Sequence, residues 1–363
     1  MQGDTVIAVR LWLFRGALVL LLIAAILFLI VFPLISVYIY RSTFNVRFQT
    51  SPENLFSHAH YEGLSAQNVT FTTLQGHTLS GCRYKSDKYG ETKGVVITVH
   101  GFGGGGHRGY MPLIHYFASN GYDVFGYDAT ANDLSEGEVI GGFPQGIIDL
   151  DYAIRYVKEA YPGQPIFLVG HSWGAYSVGN VLNFHPDVRG AVMFAGFDKT
   201  ELMLMQEGEK RAGKAAKLLI PYVRLYERLI YKQYADVSAT SGFERAKDAR
   251  IMVVHSKDDD TVLMKTGYDV LYKNNSENDR VHFVSYNLRG HNNLFYAPAA
   301  IIYRIQLQSS YHAFLQDKGS AFPSVSEAKA AFRDDSEYVD FEKCFMLDDE
   351  LMQKILDMFE SAA

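Results

Sequence analysis

The fold is decided by residues 165–182, which read PIFLVGHSWGAYSVGNVL. A short apolar run typical of a buried parallel strand leads into a helical run, and GHSWG at 170–174 lies between them as a G-x-S-x-G pattern. On a sharp turn from strand to helix, Ser172 would stand above the sheet, near a helix N-terminus that favours developing negative charge. The pattern in this context predicts a nucleophilic serine, and the alternative is an ordinary turn serine between two glycines.

Apolar runs of similar length recur along the chain and alternate with helical runs. Helical spacing is found at 110–120 and 147–161, and these runs stop at a glycine and at a Pro-Gly pair. Strands that alternate with helices predict a mostly parallel sheet with helices on both faces. The other predicted strands are VVITVHG, YDVFGYD, GAVMFAG, IMVVHS and VHFVSY, and FTTLQGHTLSGCRYK before them predicts a hairpin.

The composition argues against several classes of protein. The chain has 363 residues, of which 48% are hydrophobic and 20% charged, so a globular protein is expected rather than a disordered one. The net charge of −6 argues against a nucleic-acid binder. Cys82 and Cys344 are far apart and form no CxxC pair, and no cluster of metal ligands is seen, so we expect neither a metal nor a cofactor.

The N-terminal region contains a long apolar segment. Residues 16–40 include no charge, and as a helix they would exceed the ~30 Å hydrocarbon layer of a membrane. Arg15 and Arg41 bracket the segment, and Pro33 would kink it. A cleaved signal peptide is one alternative, but its apolar region would be only about 7–15 residues long. A buried soluble helix is the other, and the uniform apolar character argues against it. We therefore expect a single-pass membrane anchor.

The numbers of arginines on the two sides of this anchor do not determine its orientation in the membrane. Arg10 and Arg15 precede the segment, and Arg41 and Arg47 follow it, so the count is almost balanced. Because the segment is the first in the chain, it favours an N-terminus inside the cell and an extracytoplasmic C-terminal domain.

From about residue 70 to 317, the chain resembles the α/β-hydrolase superfamily, and within it the serine-aminopeptidase-like or monoacylglycerol-lipase-like branch. Besides GHSWG, the resemblance rests on HGFG at 100–103, DDD at 258–260 and RGHNN at 289–293. It implies an α/β-hydrolase fold with a mostly parallel central sheet, helices on both faces and a helical cap insert. Here we expect one transmembrane helix to precede that fold. The superfamily orders its triad as serine, acid and histidine along the chain.

HGFG resembles the motif that stabilises the oxyanion of a tetrahedral intermediate with two backbone N–H groups. By resemblance these groups are the amides of Phe102 and Trp173. A phosphate-binding loop is the competing interpretation of the glycines at 103–106, but it would require a Gly-Lys-Ser/Thr sequence, and His107 follows instead.

The remaining two motifs supply the acid and the base. His291 in RGHNN resembles the general base, which takes the serine proton and passes it to the leaving group. The residues alone do not choose among Asp258, Asp259 and Asp260, and the resemblance selects Asp259. One departure concerns 128–135, DATANDLS, where relatives often have a D-x-R-G-x-G-x-S-like stretch. We expect the missing glycines to alter the loop geometry without abolishing catalysis.

More than fifty residues separate the strands GAVMFAG and IMVVHS, and relatives carry a cap at this place. Residues 199–232 hold eight Lys/Arg and four Glu, which indicates either a solvated cap face or a lid that rests on anionic lipid. The predicted division is an N-terminal flank (1–15), a transmembrane helix (16–40), a tether (41–66) and an α/β-hydrolase domain (67–363) with a cap insert at about 198–248.

The resemblance implies a membrane-anchored serine hydrolase that cleaves a carboxylic ester or an acylglycerol through an acyl-enzyme. Its partners would be a small-molecule or lipid acyl substrate and the membrane, without nucleic acid, and the sequence indicates no oligomeric state. A peptidase or a thioesterase on the same fold is the alternative, because the triad does not distinguish ester from amide. A non-catalytic, membrane-tethered binding protein would be expected to lack a triad member or an oxyanion glycine, and all of these are present.

Overall fold

The structure is a computed structural model in which residues 2–73 and 75–363 are described, with only the backbone for residues 2–6, 8 and 9. Eight strands form one sheet in the order β1-β2-β4-β3-β5-β6-β7-β8. β1 and β2 form an antiparallel hairpin, β2 also pairs antiparallel with β4, and the other pairs are parallel. The strands are β1 Leu64–Thr72, β2 Thr78–Ser86, β3 Val95–Val99, β4 Asp123–Tyr127, β5 Ile166–His171, β6 Gly190–Phe194, β7 Arg250–Ser256 and β8 Val281–Tyr286.

Three consecutive helical segments form the N-terminus: α1 Gln2–Ile26, a π-helical turn Leu27–Val31, and α2 Phe32–Phe44. Pro33 has no N–H and its ring crowds the carbonyl four residues earlier, which accounts for the wider turn before it. Within the described residues, Arg10–Phe44 is the one helix long and apolar enough to cross a membrane, with a mean hydropathy of 3.4 over 18 residues and none of these residues buried.

The remaining helices lie between the strands and after them. Between β6 and β7 come the cap helices, which the short 3₁₀ segment Gly213–Leu218 connects. The helices are α3 Met111–Ser119, α4 Pro144–Ala160, α5 Trp173–Val181, α6 Thr200–Ala212, α7 Ile220–Tyr231, α8 Ala239–Arg245, α9 Tyr268–Asn275, α10 Pro298–Lys318, α11 Val325–Asp334, α12 Phe341–Cys344 and α13 Asp349–Glu360.

Helices cover both faces of the sheet, which explains why the central strands are continuous apolar runs. Along β3, Val95 and Ile97 belong to the core that α4 and α5 share, whereas Val96 belongs to the core under α3 and α13. The Phe359 ring of α13 stacks on Phe167 of β5 at 4.4 Å between centroids. The mostly parallel sheet, its helical layers and the apolar N-terminal helix confirm the predicted fold class.

The segment between the N-terminal helix and the sheet lies against the domain. The Phe48 amide donates to the Ala131 carbonyl (3.0 Å), and the Arg47 guanidinium donates to the carbonyls of Asp133 and Gly137. Part of the predicted tether is therefore held in place by hydrogen bonds from its main chain and from the Arg47 side chain. Elsewhere, Cys82 and Cys344 are both buried free thiols.

Candidate active site

Ser172 lies on the turn between β5 and α5, with φ 56° and ψ −116°. This positive φ is unfavourable for a residue with a side chain, and such strain concentrates at functional sites. The flanking glycines are required by close packing, because a Cβ on Gly174 would overlap the carbonyl oxygen of Val99 and one on Gly170 would meet the backbone of Gly174. The G-x-S-x-G spacing thus allows a tight strand-to-helix turn beside β3.

The two predicted oxyanion residues flank the same turn. Phe102 lies in the loop after β3, and Trp173 is the first residue of α5. Apart from the hydrogen bonds within regular helices and strands, the backbone amides of Phe102 and Trp173 donate to no backbone acceptor among the residues that the structure describes. Both amides are therefore unpaired within this part of the chain. The roles of Phe102 and Trp173 remain predictions from the resemblance.

His100 stabilises the loop that carries Phe102. The Ala129 amide donates to His100 Nε2 (2.9 Å), so the proton lies on Nδ1, which donates to the Gly101 carbonyl (2.9 Å). Burial lowers the pKa of His100 below its ordinary value, which matches this neutral form. His100 therefore fixes the geometry of this loop through two hydrogen bonds.

His291 and Asp259 come together from the carboxyl ends of β8 and β7. His291 Nδ1 lies 2.8 Å from Asp259 Oδ2, and Asp259 Oδ1 accepts the amides of Thr261 and Val262 at 2.9 Å. Burial alone would raise the pKa of Asp259, but the hydrogen bond from His291, its charge and the Val262 amide lower it below the ordinary value. Asp259 is thus an ionised acceptor suited to orient an imidazole.

His171 connects the loop of Phe102 to the loop of His291. The Gly101 amide donates to the Tyr110 hydroxyl (3.1 Å), which lies 2.9 Å from His171 Nδ1, and His171 Nε2 lies 2.9 Å from the His291 carbonyl. Burial, followed by the charge of His291, lowers the pKa of His171 to about 3, so the ring is neutral and can accept at Nδ1 and donate at Nε2. Tyr110 was not identified from the sequence, where it follows a glycine-rich loop with no distinguishing pattern.

The loop at 128–135 differs from expectation. Ala131 has φ 59° and Asp133 has φ 39°, at the two places where the relatives' pattern has glycine. Asp133 is held there because its carboxylate accepts from the Gly106 amide (3.0 Å) and from Thr50. The loop therefore retains a backbone conformation that glycine favours, and hydrogen bonds compensate for the absence of glycine.

A cavity of about 990 Å³ joins these residues. Ser172, His291, Phe102 and Trp173 all line it, although no hydrogen bond links Ser172 Oγ to His291 in the part of the chain that the structure describes. Within those same residues, no group of three or more His, Cys, Asp or Glu side chains could hold a metal ion. Apolar side chains supply most of the other walls: Phe44, Phe143, Phe197, Met203, Leu204, Leu219, Ile220, Val223 and Val262.

Residues 90–272 match the family model described as serine aminopeptidase, S33. The chain belongs to this family. Membership in the S33 serine aminopeptidase family confirms the predicted superfamily and branch, and the family is one of serine hydrolases. The matched region includes Phe102, Ser172 and Asp259, and it ends before His291.

Individual relatives match over shorter regions. A monoglyceride lipase homolog from Monkeypox virus is 37% identical over 86 residues, which is 23% of this chain and 30% of that protein. The mouse monoglyceride lipase is 34% identical over 96 residues, 26% of this chain and 31% of that protein. The chain thus spans about 30% of the length of the curated relatives it matches.

Solved structures support the fold. An esterase from Pyrococcus furiosus, in two crystal forms, matches with a TM-score of 0.51 and identities of 17% and 19%. The match covers 72% of this chain and 95% or 93% of the esterase chain. At this identity the likeness shows the shared α/β fold alone.

Proposed function

We propose that this member of the S33 family is a membrane-anchored serine hydrolase that cleaves carboxylic esters or acylglycerols. The observation that carries the proposal is that Ser172, on its strained turn, shares one apolar cavity with His291, which Asp259 orients. The relatives named monoglyceride lipase favour an acylglycerol over a peptide as substrate.

In the proposed mechanism, Ser172 Oγ attacks the carbonyl carbon of the ester while His291 Nε2 takes its proton. The amides of Phe102 and Trp173 donate to the oxyanion, and His291 returns the proton to the leaving alcohol. Water then attacks the acyl-enzyme by the reverse sequence, releasing the acid and free Ser172. Throughout the cycle, Asp259 accepts the Nδ1 proton and stabilises the imidazolium.

The proposal includes the membrane. Residues 16–40 would form the helix that spans the bilayer once, after the flank at 1–15, with its last turn from Ser36 to Tyr40 packed on the domain at the membrane surface. The domain at 67–363 with its cap at about 198–248 would lie outside the cytoplasm. The composition and length of the N-terminal helix support the span. The orientation rests on the helix being the first in the chain.

The test uses a fluorophosphonate probe, which reacts with activated serines. We expect the purified full-length protein to be labelled in equimolar amount and Ser172→Ala to lose labelling completely. Ser177→Ala is the control, since Ser177 lies on the same helix and its hydroxyl donates to the Trp173 carbonyl (2.9 Å) away from the reacting groups. Labelling that persists in Ser172→Ala would contradict the assignment of the nucleophile.

Substrate class is tested on protein that has not been exposed to the probe, with monoacylglycerols, p-nitrophenyl esters and aminoacyl anilides, while labelling of a parallel sample gives the active fraction. Turnover of the first two classes and not of the third is the expected result. Preferential turnover of the anilides would favour the aminopeptidase activity for which the family is described.

A further inference from the structure

We infer that the last turns of the N-terminal helix form one wall of the acyl-binding cavity, so that the anchor itself selects long-chain acyl esters. The inference rests on the proposed function and deepens it by naming the substrate class. Its starting point is that α2, at the end of the apolar helix, is packed onto the domain instead of extending away from it.

One stripe of α2 is buried against the cap. Ser36, Tyr40 and Phe44 recur every fourth residue and are each exposed by 2% or less, so they share one face of the helix. The Ser36 hydroxyl lies 3.3 Å from the Leu219 carbonyl, and the Tyr40 hydroxyl donates to Glu227 Oε1 at 2.9 Å. These contacts join α2 to α7 and to the segment just before it.

The C-terminal end of α2 packs against the loop that carries Phe102, next to the proposed catalytic residues. The Phe44 ring packs edge-on against Phe143 at 4.8 Å and against Phe102 at 5.7 Å between centroids. Phe102 carries one of the two proposed oxyanion amides. The cavity that Ser172 and His291 line is also lined by six α2 residues: Ser36, Ile39, Tyr40, Ser42, Thr43 and Phe44.

The shape and chemistry of this wall fit a long acyl chain. From Ser36 to Phe44 the helix rises about 12 Å, and the cavity of about 990 Å³ is at the upper end of the usual range for ligand sites. Before Ser36 the helix is apolar and exposed, with Leu34 66% and Ile35 42% exposed. An acyl chain that moves along α2 from the proposed bilayer to Ser172 would pass apolar side chains such as Leu34, Ile39 and Phe44, with the hydroxyl side chains Ser36, Ser42 and Thr43 beside them. Contact with the apolar side chains favours long chains over short ones.

Two isoleucines on α2 provide a matched pair for the test. Ile39 lines the cavity, whereas Ile35, one helical turn earlier, lies outside its lining, and both side chains are 42% exposed. A tryptophan at position 39 would occupy space that the acyl chain needs. The same substitution at position 35 would lie on the same face of the helix, about 6 Å farther along its axis and outside the residues that line the cavity.

The experiment measures kcat/KM of the full-length protein in phosphatidylcholine vesicles, with p-nitrophenyl palmitate and p-nitrophenyl butyrate. We expect Ile39→Trp to lower the palmitate-to-butyrate ratio about tenfold, the equivalent of about two displaced methylenes, and Ile35→Trp to leave the ratio unchanged. Thr43→Phe, which adds a similar side-chain volume at the same wall, should lower the ratio in the same direction. Equal effects of the two tryptophan variants, or an unchanged ratio in both cavity variants, would overturn the inference.

Fluorophosphonate labelling separates this failure from failure of the proposed function. Labelling gives the active fraction of each variant, so that kcat/KM refers to folded enzyme. A wild-type protein that is not labelled and hydrolyses neither ester overturns the proposed function and the inference together. If the wild-type protein is labelled but the α2 substitutions leave the palmitate-to-butyrate ratio unchanged, only the inference is overturned.

Discussion

Asp259 is the middle of three consecutive aspartates, and its surroundings differ from those of its neighbours. Its carboxylate is buried and accepts from His291, whereas Asp258 and Asp260 are exposed. Asp258 Oδ1 accepts the Gly290 amide at 3.0 Å and thereby shapes the loop before His291. At the scale of single residues, one aspartate is therefore placed to orient the imidazole and one to hold its loop.

We expect Asp259→Asn to lower kcat about 10⁴-fold, because an amide in place of the carboxylate favours the wrong tautomer of His291 and does not stabilise its cation. Asp258→Asn and Asp260→Asn are the isosteric controls and should cost far less. The measurement is steady-state hydrolysis of a p-nitrophenyl ester at equal protein concentration, and the thermal unfolding midpoint of each variant checks that it is folded. Similar losses in all three variants would show that the acid is wrongly assigned.

At the scale of elements, the contact between α2 and α7 centres on a buried carboxylate. Glu227 is fully buried and accepts from Tyr40 (2.9 Å), Thr200 (3.0 Å) and Arg224 (3.0 Å). Burial raises the pKa of Glu227, and the hydrogen bonds from its partners oppose this rise. Each donor therefore stabilises a group that would be costly to leave unpaired.

Tyr40→Phe removes one of these donors and should weaken the packing of the cap on α2 by about 1.5 kcal/mol, a roughly tenfold increase in the open population. We expect trypsin to cut the Lys/Arg-rich residues 210–217 of the full-length protein about tenfold faster in detergent, since cleavage follows local opening. Tyr38→Phe is the control, because Tyr38 is on the same helix and 74% exposed. An unchanged cleavage rate in Tyr40→Phe would show that this hydrogen bond does not hold the cap.

At the scale of the whole molecule, the proposed arrangement places all of the domain on one side of a membrane. We expect protease added to intact cells to degrade the C-terminal domain and to leave an N-terminal fragment protected by the bilayer. Detergent-permeabilised cells show that the protease is active. Full protection of the domain in intact cells would reverse the proposed orientation.

The sequence was sufficient to predict the sheet and the residues at its carboxyl edge. Buried strands are continuous apolar runs, and parallel strands place Phe102, Ser172, Asp259 and His291 at the same edge, so local motifs were enough to locate a candidate site. Their catalytic roles stay predictions. The contact of α2 with the cap was not predicted. Its buried face carries the hydroxyl groups of Ser36 and Tyr40 at helical spacing, but such a pattern does not show which part of the chain the face contacts.

The segment at 44–50 shows a second limit of sequence analysis. Its polar residues were interpreted as a tether, yet its main chain bonds to the loop at 131–141. Backbone N–H and C=O groups are the same in every residue, so such pairing leaves no pattern in the side chains. Three-dimensional structure was needed to find it.

The packing of α2 also constrains how this chain can vary in length. A single residue inserted between Ser36 and Phe44 would rotate the preceding helix by about 100°, and Ser36 would then leave the buried face that it shares with Tyr40 and Phe44. Insertions of about seven residues, close to two full turns, would nearly restore the phase. Adaptation to thicker or thinner bilayers is therefore expected to proceed by changes before Ser36, while the phase from Ser36 to Phe44 is kept.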